Sequence, residues 1–148
     1  SAACRIGAIL GALPEDKENA LAMFGQKVGM AFQMADDILD YMADEGDLGK
    51  RLGKDLREGK ITIPLIYLLK SADDAEKEVV RKVITGGFTK NGLIKIMRLF
   101  NKYGIIETSF RKAEELIDDA KTHLAVFPDS STRQALFRIA DYSLARNK

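Results

Sequence analysis

Three aspartates, Asp36, Asp37 and Asp40, sit in a segment that is otherwise apolar, Phe32-Gln33-Met34-Ala35-Asp36-Asp37-Ile38-Leu39-Asp40. An aspartate is almost never fully buried unless it is paired or holds a metal. On a helix Asp36 and Asp40 lie about 40° apart and one turn apart, and Asp37 lies about 60° from Asp40. Their carboxylates can converge on one hard cation. Mg²⁺ suits such a site, because it takes oxygen ligands, keeps several waters and is commonly held by one or two carboxylates plus substrate phosphates. Without a cation, three close carboxylates repel and raise one another's pKa. The competing reading is an exposed acidic patch near a helix end, or aspartates paired with Lys or Arg. Phe32, Ala35, Ile38 and Leu39 count against exposure of the whole patch unless it lines a cavity.

A second cluster follows at once. Lys50, Arg51, Lys54, Arg57 and Lys60 are interleaved with Gly49, Gly53 and Gly59. Glycine lets a backbone approach a ligand closely, and lysine serves phosphate as a point charge. Carboxylates on a helix beside a Lys/Gly loop suggest divalent cations holding a polyphosphate. The alternatives are a solvated basic loop or a nucleic-acid patch. No aromatic residue lies in the loop to stack a base, and no helix-turn-helix or zinc pattern is present to read a duplex. The Gly-Lys pairs also lack the spacing and strand context of a P-loop.

The elements that must position these residues read as helices throughout. Pro14, Pro64 and Pro128 each fall at an element start, where the missing N–H costs nothing. Acidic residues after Pro14 favour the dipole of a helix running to about Ala43. Its apolar positions, among them Leu21, Phe24, Val28, Phe32 and Ile38, cover much of its surface, which predicts a central helix. Gly46 to Gly59 predicts an irregular loop, and a loop that long is usually functional. Asp73 or Asp74 caps a further helix ending at Gly86-Gly87, and Thr89 caps another carrying Leu93, Ile96 and Phe100. Gly104 separates that from a helix over Ile105 to Phe127, and Pro128-Asp129-Ser130 opens the last. The expectation is a single all-α domain over 1–148, a bundle of about seven helices, with Met23, Met30, Met34, Met42 and Met97 as core filler.

The chain has 148 residues, 46% hydrophobic and 30% charged, with a net charge of +1. That balance gives no global field for nucleic acid or an acidic membrane. No stretch approaches the roughly 18 apolar residues of a membrane span. The single Cys4 excludes an internal disulfide framework and suits a reducing cytoplasm. Ser1 is not an initiator Met, and Ala2 to Leu13 reads as the end of a helix already under way, so a fragment or a processed chain is expected.

Phe32 to Asp40, followed by Leu48 to Leu65 with its Gly-Lys-Asp-Leu-Arg-Glu-Gly-Lys run, resembles the second aspartate-rich region and diphosphate loop of the trans-isoprenyl diphosphate synthases, or polyprenyl synthetases. Pro128 to Ser131, Leu136, Tyr142 and Arg146 are similar to that family's final helix. The resemblance implies the C-terminal half of the isoprenoid synthase fold. It implies a Mg²⁺-dependent transferase that lengthens an allylic diphosphate with isopentenyl diphosphate, working as a cytoplasmic homodimer. By position, Asp36 and Asp40, assisted by Asp37, would bind Mg²⁺. Lys50 and Lys60 would hold the allylic diphosphate, Gln33 would face the reacting carbons, and Asp55 would support metal-bound waters. The family's first Asp-rich motif and upstream Lys-Thr pair are absent, and Glu15-Asp16 does not replace them. The chain is therefore expected to be inactive alone. Three rivals are a terpene cyclase, whose metal spacing Asp36, Asp40 and Asp44 also match, a non-catalytic helical subunit of a heteromeric synthase, and a generic helical interaction module in which Asp36, Asp37 and Lys60 are incidental.

Overall fold

The structure, a computed structural model, describes residues 1–42 and 52–145. Among these residues there is no strand, and eight α-helices follow in order. They are α1 (Ala2–Leu10), α2 (Glu15–Leu39), α3 (Lys54–Arg57), α4 (Ile63–Ser71), α5 (Asp74–Thr85), α6 (Lys90–Tyr103), α7 (Ile105–His123) and α8 (Ser131–Ala145), with a 3₁₀ turn at Leu124–Val126. Seven correspond to the expected helices. The eighth, α3, is a single turn inside the stretch read as irregular.

Local chemistry sets most of the ends. The Pro14 carbonyl accepts from Lys17 and Glu18 N–H, and Glu15, Asp16 and Glu18 fill the first turn of α2. Asp73 caps α5 by accepting from Glu76 N–H at 2.8 Å, and Thr89 caps α6 by accepting from Gly92 N–H at 3.0 Å. Gly104 ends α6 in the left-handed region, φ 57°. The end of α2 differs from expectation. Helical structure stops at Leu39 rather than about Ala43, because Tyr41 and Met42 N–H bond three residues back, to Ile38 and Leu39, and tighten into a turn. The methionines differ too: Met23, Met30 and Met42 are exposed and Met34 is buried.

The chain divides into two compact units, one of Ser1–Ala35 with Arg111–Lys148 and one of Asp36–Phe110. The first unit buries Phe24, Ala31, Ile117, Ala120, Leu124 and Ala140 together. In it α1 lies close on α2, since a Cβ at Gly25 would come within 2.7 Å of Cys4 Sγ. Lys27 pairs with Asp119 at 2.7 Å, joining α2 to α7. The second unit has its own core, built on Tyr41, Leu65, Leu68, Val80, Ile96 and Phe100. Tyr41 meets Phe100 edge to face, with centroids 5.0 Å apart. Glu76 of α5 accepts from Lys102 Nζ at 2.6 Å and from the Tyr103 hydroxyl, tying α5 to α6. Those contacts, Lys102 first, hold the Glu76 carboxyl below its usual range.

Candidate functional site

Of the residues singled out for chemistry, Gln33 is exposed near the end of α2, Asp36 and Asp40 are half-buried, and Asp37 is buried. Lys50 lies outside the described residues, as do Asp44, Gly46, Gly49, Arg51 and Arg146. Phe32, expected to shield the aspartates, is 39% exposed.

Asp40, just past α2, is bound firmly to the Gly/Lys stretch. Its two carboxylate oxygens accept from Lys54 N–H and Asp55 N–H, each at 3.0 Å, and its carbonyl accepts from Gly53 N–H at 2.8 Å. The turn α3 needs this. Its own N-cap is Gly53, which has no side chain to offer and adopts φ 68°. A capping carboxylate is therefore supplied from far back in the sequence, and it suits the positive end of the turn. Burial pushes the Asp40 carboxyl above its usual range, while the N–H bonds from Asp55 and Lys54 pull it back.

Asp37 serves the next element. Its Oδ2 accepts from Ile63 N–H at 3.3 Å, at the start of α4. Beside it Tyr41 is 1% exposed and its hydroxyl lies 3.4 Å from Thr62 Oγ1. Burial, the largest influence, pushes the Tyr41 phenol up to about 12. Lys60, beyond α3, has its Nζ 3.1 Å from Asp55 Oδ1 and 2.7 Å from Glu58 Oε2. These pairs hold the Glu58 carboxyl down and the Lys60 ammonium up, Glu58 being the stronger partner. Arg57 stacks over the Phe88 ring at 4.4 Å. Asp55, expected beside metal-bound waters, bridges Asp40 and Lys60.

Reasoning from sequence passed over Tyr41, Thr62 and Glu58. A hydroxyl-bearing aromatic directly after Asp40 was a usable signal for Tyr41. Glu58 carried none, because the bend at Gly59, φ 73°, is what turns Lys60 back to it.

A family-wide sequence profile described as Polyprenyl synthetase matches residues 1–99. The chain belongs to the polyprenyl synthetase family. It is 35% identical over 147 residues to an octaprenyl diphosphate synthase of Escherichia coli, covering 99% of this chain and 46% of that protein. A crystal structure of a decaprenyl diphosphate synthase from Rhodobacter capsulatus superposes with a TM-score of 0.86 at 37% identity, covering 97% of this chain and 45% of that one. A polyprenyl synthase from Caulobacter crescentus, crystallised with calcium and isoprenyl diphosphate, gives 0.83 at 33% identity over 97% of this chain and 44% of that one. The chain thus spans a little under half the length of these relatives, all of them synthases. The cyclase and the non-catalytic subunit are not favoured.

The donors present bear on the cation the family implies. Asp36 and Asp40 offer oxygen only, one turn apart, the chemistry a hard divalent ion prefers. Each Asp40 oxygen has given one lone pair to a backbone N–H and retains another. Among the described residues no group of three or more His, Cys, Asp or Glu side chains is placed to hold a metal ion, so Asp36, Asp37 and Asp40 are not gathered into a three-carboxylate site here. Two carboxylates match in chemistry a site where the ion keeps waters and meets a phosphate, since Mg²⁺ is commonly held by one or two carboxylates.

Proposed function

We propose that this polyprenyl synthetase chain supplies the second aspartate-rich half-site of a trans-polyprenyl diphosphate synthase, which condenses an allylic diphosphate with isopentenyl diphosphate. One observation carries the reading. The turn holding Asp40 is hydrogen-bonded directly to the segment bearing Lys54 and Lys60, so carboxylates and cations suited to a metal–diphosphate pair form one unit. The synthase relatives support it.

In that reaction the allylic C–O bond breaks and the diphosphate leaves with the bonding electrons. The isopentenyl double bond forms the new C–C bond, and loss of a proton restores an alkene. Asp36 and Asp40, with Asp37 beside them, are the residues that would hold Mg²⁺ on this side of the site. When bound, the ion offsets charge building on the departing diphosphate. Lys50 and Lys60 grip the diphosphate, Gln33 faces the reacting carbons, and Asp55 steadies the polar network between them. The whole enzyme works as a cytoplasmic homodimer; no described helix is long and apolar enough to cross a membrane. The 148-residue chain alone, with one Asp-rich motif, does not condense its substrates.

The test is a titration of a non-hydrolysable allylic diphosphate analogue, with and without Mg²⁺. Asp36→Asn is the variant used, because Asp40 also caps α3. Binding that needs Mg²⁺ and is lost in Asp36→Asn supports the half-site. Binding indifferent to both removes the carboxylates from the reading.

A further inference from the structure

A metal ligand needs one free lone pair, yet both oxygens of Asp40 and its carbonyl are turned toward a four-residue helix. A single turn does not sustain itself, because nucleation fixes several dihedrals for one hydrogen bond. In α3 the first two amides, Lys54 and Asp55, have Asp40 as their acceptor, and the glycine N-cap contributes none. What α3 carries is the tether of Lys60. Asp55 takes Lys60 N–H on its carbonyl at 2.8 Å and Lys60 Nζ on Oδ1 at 3.1 Å. Asp55 N–H in turn donates to Asp40 Oδ2. Three hydrogen bonds through one residue connect the Asp40 carboxylate to the Lys60 backbone and ammonium.

We propose that Asp40 is a positioning residue for Lys60, which holds the lysine in place for a diphosphate through the capped turn α3. This rests on the reading that Lys60 binds diphosphate. It has a consequence that metal ligation does not share. With no divalent cation present, a carboxylate that merely stands near an anion repels it, so its neutralisation tightens anion binding. A carboxylate that holds the anion's lysine in place does the opposite, and its neutralisation weakens binding.

The experiment is a titration of the 148-residue chain with inorganic pyrophosphate in EDTA, followed through backbone amide NMR shifts. The unmodified chain, Lys60→Gln and Asp40→Asn are compared. The expected result is weaker binding in Lys60→Gln and binding about fivefold weaker in Asp40→Asn, which keeps one of the two acceptors and loses one hydrogen bond of ordinary strength. Amides of α4 and α7 report whether each variant is folded. If Asp40→Asn is not, Asp40→Glu, which keeps the charge but displaces the turn by a methylene, replaces it with the same expected sign. Equal or tighter binding in a folded Asp40 variant, with Lys60→Gln weakened, overturns the positioning role alone. An unmodified chain that does not bind, or a Lys60→Gln chain that binds unchanged, overturns the diphosphate reading of Lys60 and the proposal with it.

Discussion

Lys60 stands between two carboxylates, Asp55 at 3.1 Å and Glu58 at 2.7 Å, and they do different things. Asp55 belongs to the hydrogen-bonded path from Asp40, whereas Glu58 competes with any anion for the same ammonium. Glu58→Gln is therefore expected to tighten metal-free pyrophosphate binding by about twofold to fivefold, in line with an exposed ion pair. Calorimetric titration beside the unmodified chain checks this, and weaker binding would mean that Glu58 orients the lysine. At this scale the sequence was a good guide to residue type and a poor one to duty. Asp36, Asp40 and Lys60 stand out because carboxylates in an apolar run and lysines among glycines are chemically odd wherever they fall. That Asp40 faces α3 amides and Asp37 faces Ile63 could not be read, because both partners are distant along the chain.

The helices divide by the range of their determinants. Asp73, Thr89, Pro14 and Gly104 act on amides and carbonyls a few residues away, so the starts of α2, α5 and α6 and the end of α6 were legible. The turn α3 was not, since four residues have no periodicity and its cap comes from Asp40. The end of α2 was overrun because Tyr41 and Met42 prolong the apolar pattern past the last helical turn. Gly53 tests α3 as an element. Its φ of 68° disfavours any side chain, and a Cβ would lie 3.0 Å from Leu93 Cδ1. Gly53→Ala is expected to cost ~1–3 kcal/mol in urea unfolding, as for other residues forced into the left-handed region. The α5–α6 tie makes a prediction in pH. The Glu76 carboxyl is held below its ordinary 4.5, so its native form binds a proton less readily than the unfolded chain does. The resulting stability is present above that value and is lost as pH falls through the lower native one. Thermal melts of Glu76→Gln should lie below the unmodified chain at neutral pH and converge with it in acid. A gap that stays constant would assign the effect to packing.

For the molecule as a whole, all-α architecture and family were legible, since helical periodicity and a dense local motif survive without knowledge of distant contacts. The division into two units, each with its own core, was not, because α2 and α7 contribute residues to both and read as unbroken helices. The chain spans 46% of the E. coli relative. Incubated with allylic and isopentenyl diphosphates and Mg²⁺, it is expected to form no longer prenyl diphosphate. Co-folding with a polypeptide carrying the family's first Asp-rich motif is expected to restore elongation, followed by radiolabelled product. Elongation by the chain alone would show that one motif suffices.

The contact between Gly25 and Cys4 also makes the chain's one thiol a gauge. Sγ rests where any larger residue at position 25 would have to go, so a bulky alkylating reagent has no room on that side until α1 lifts from α2. Cys4 is only half-buried, so its labelling by a bulky reagent, set against that by a small one, reports the room that α1 leaves it against α2.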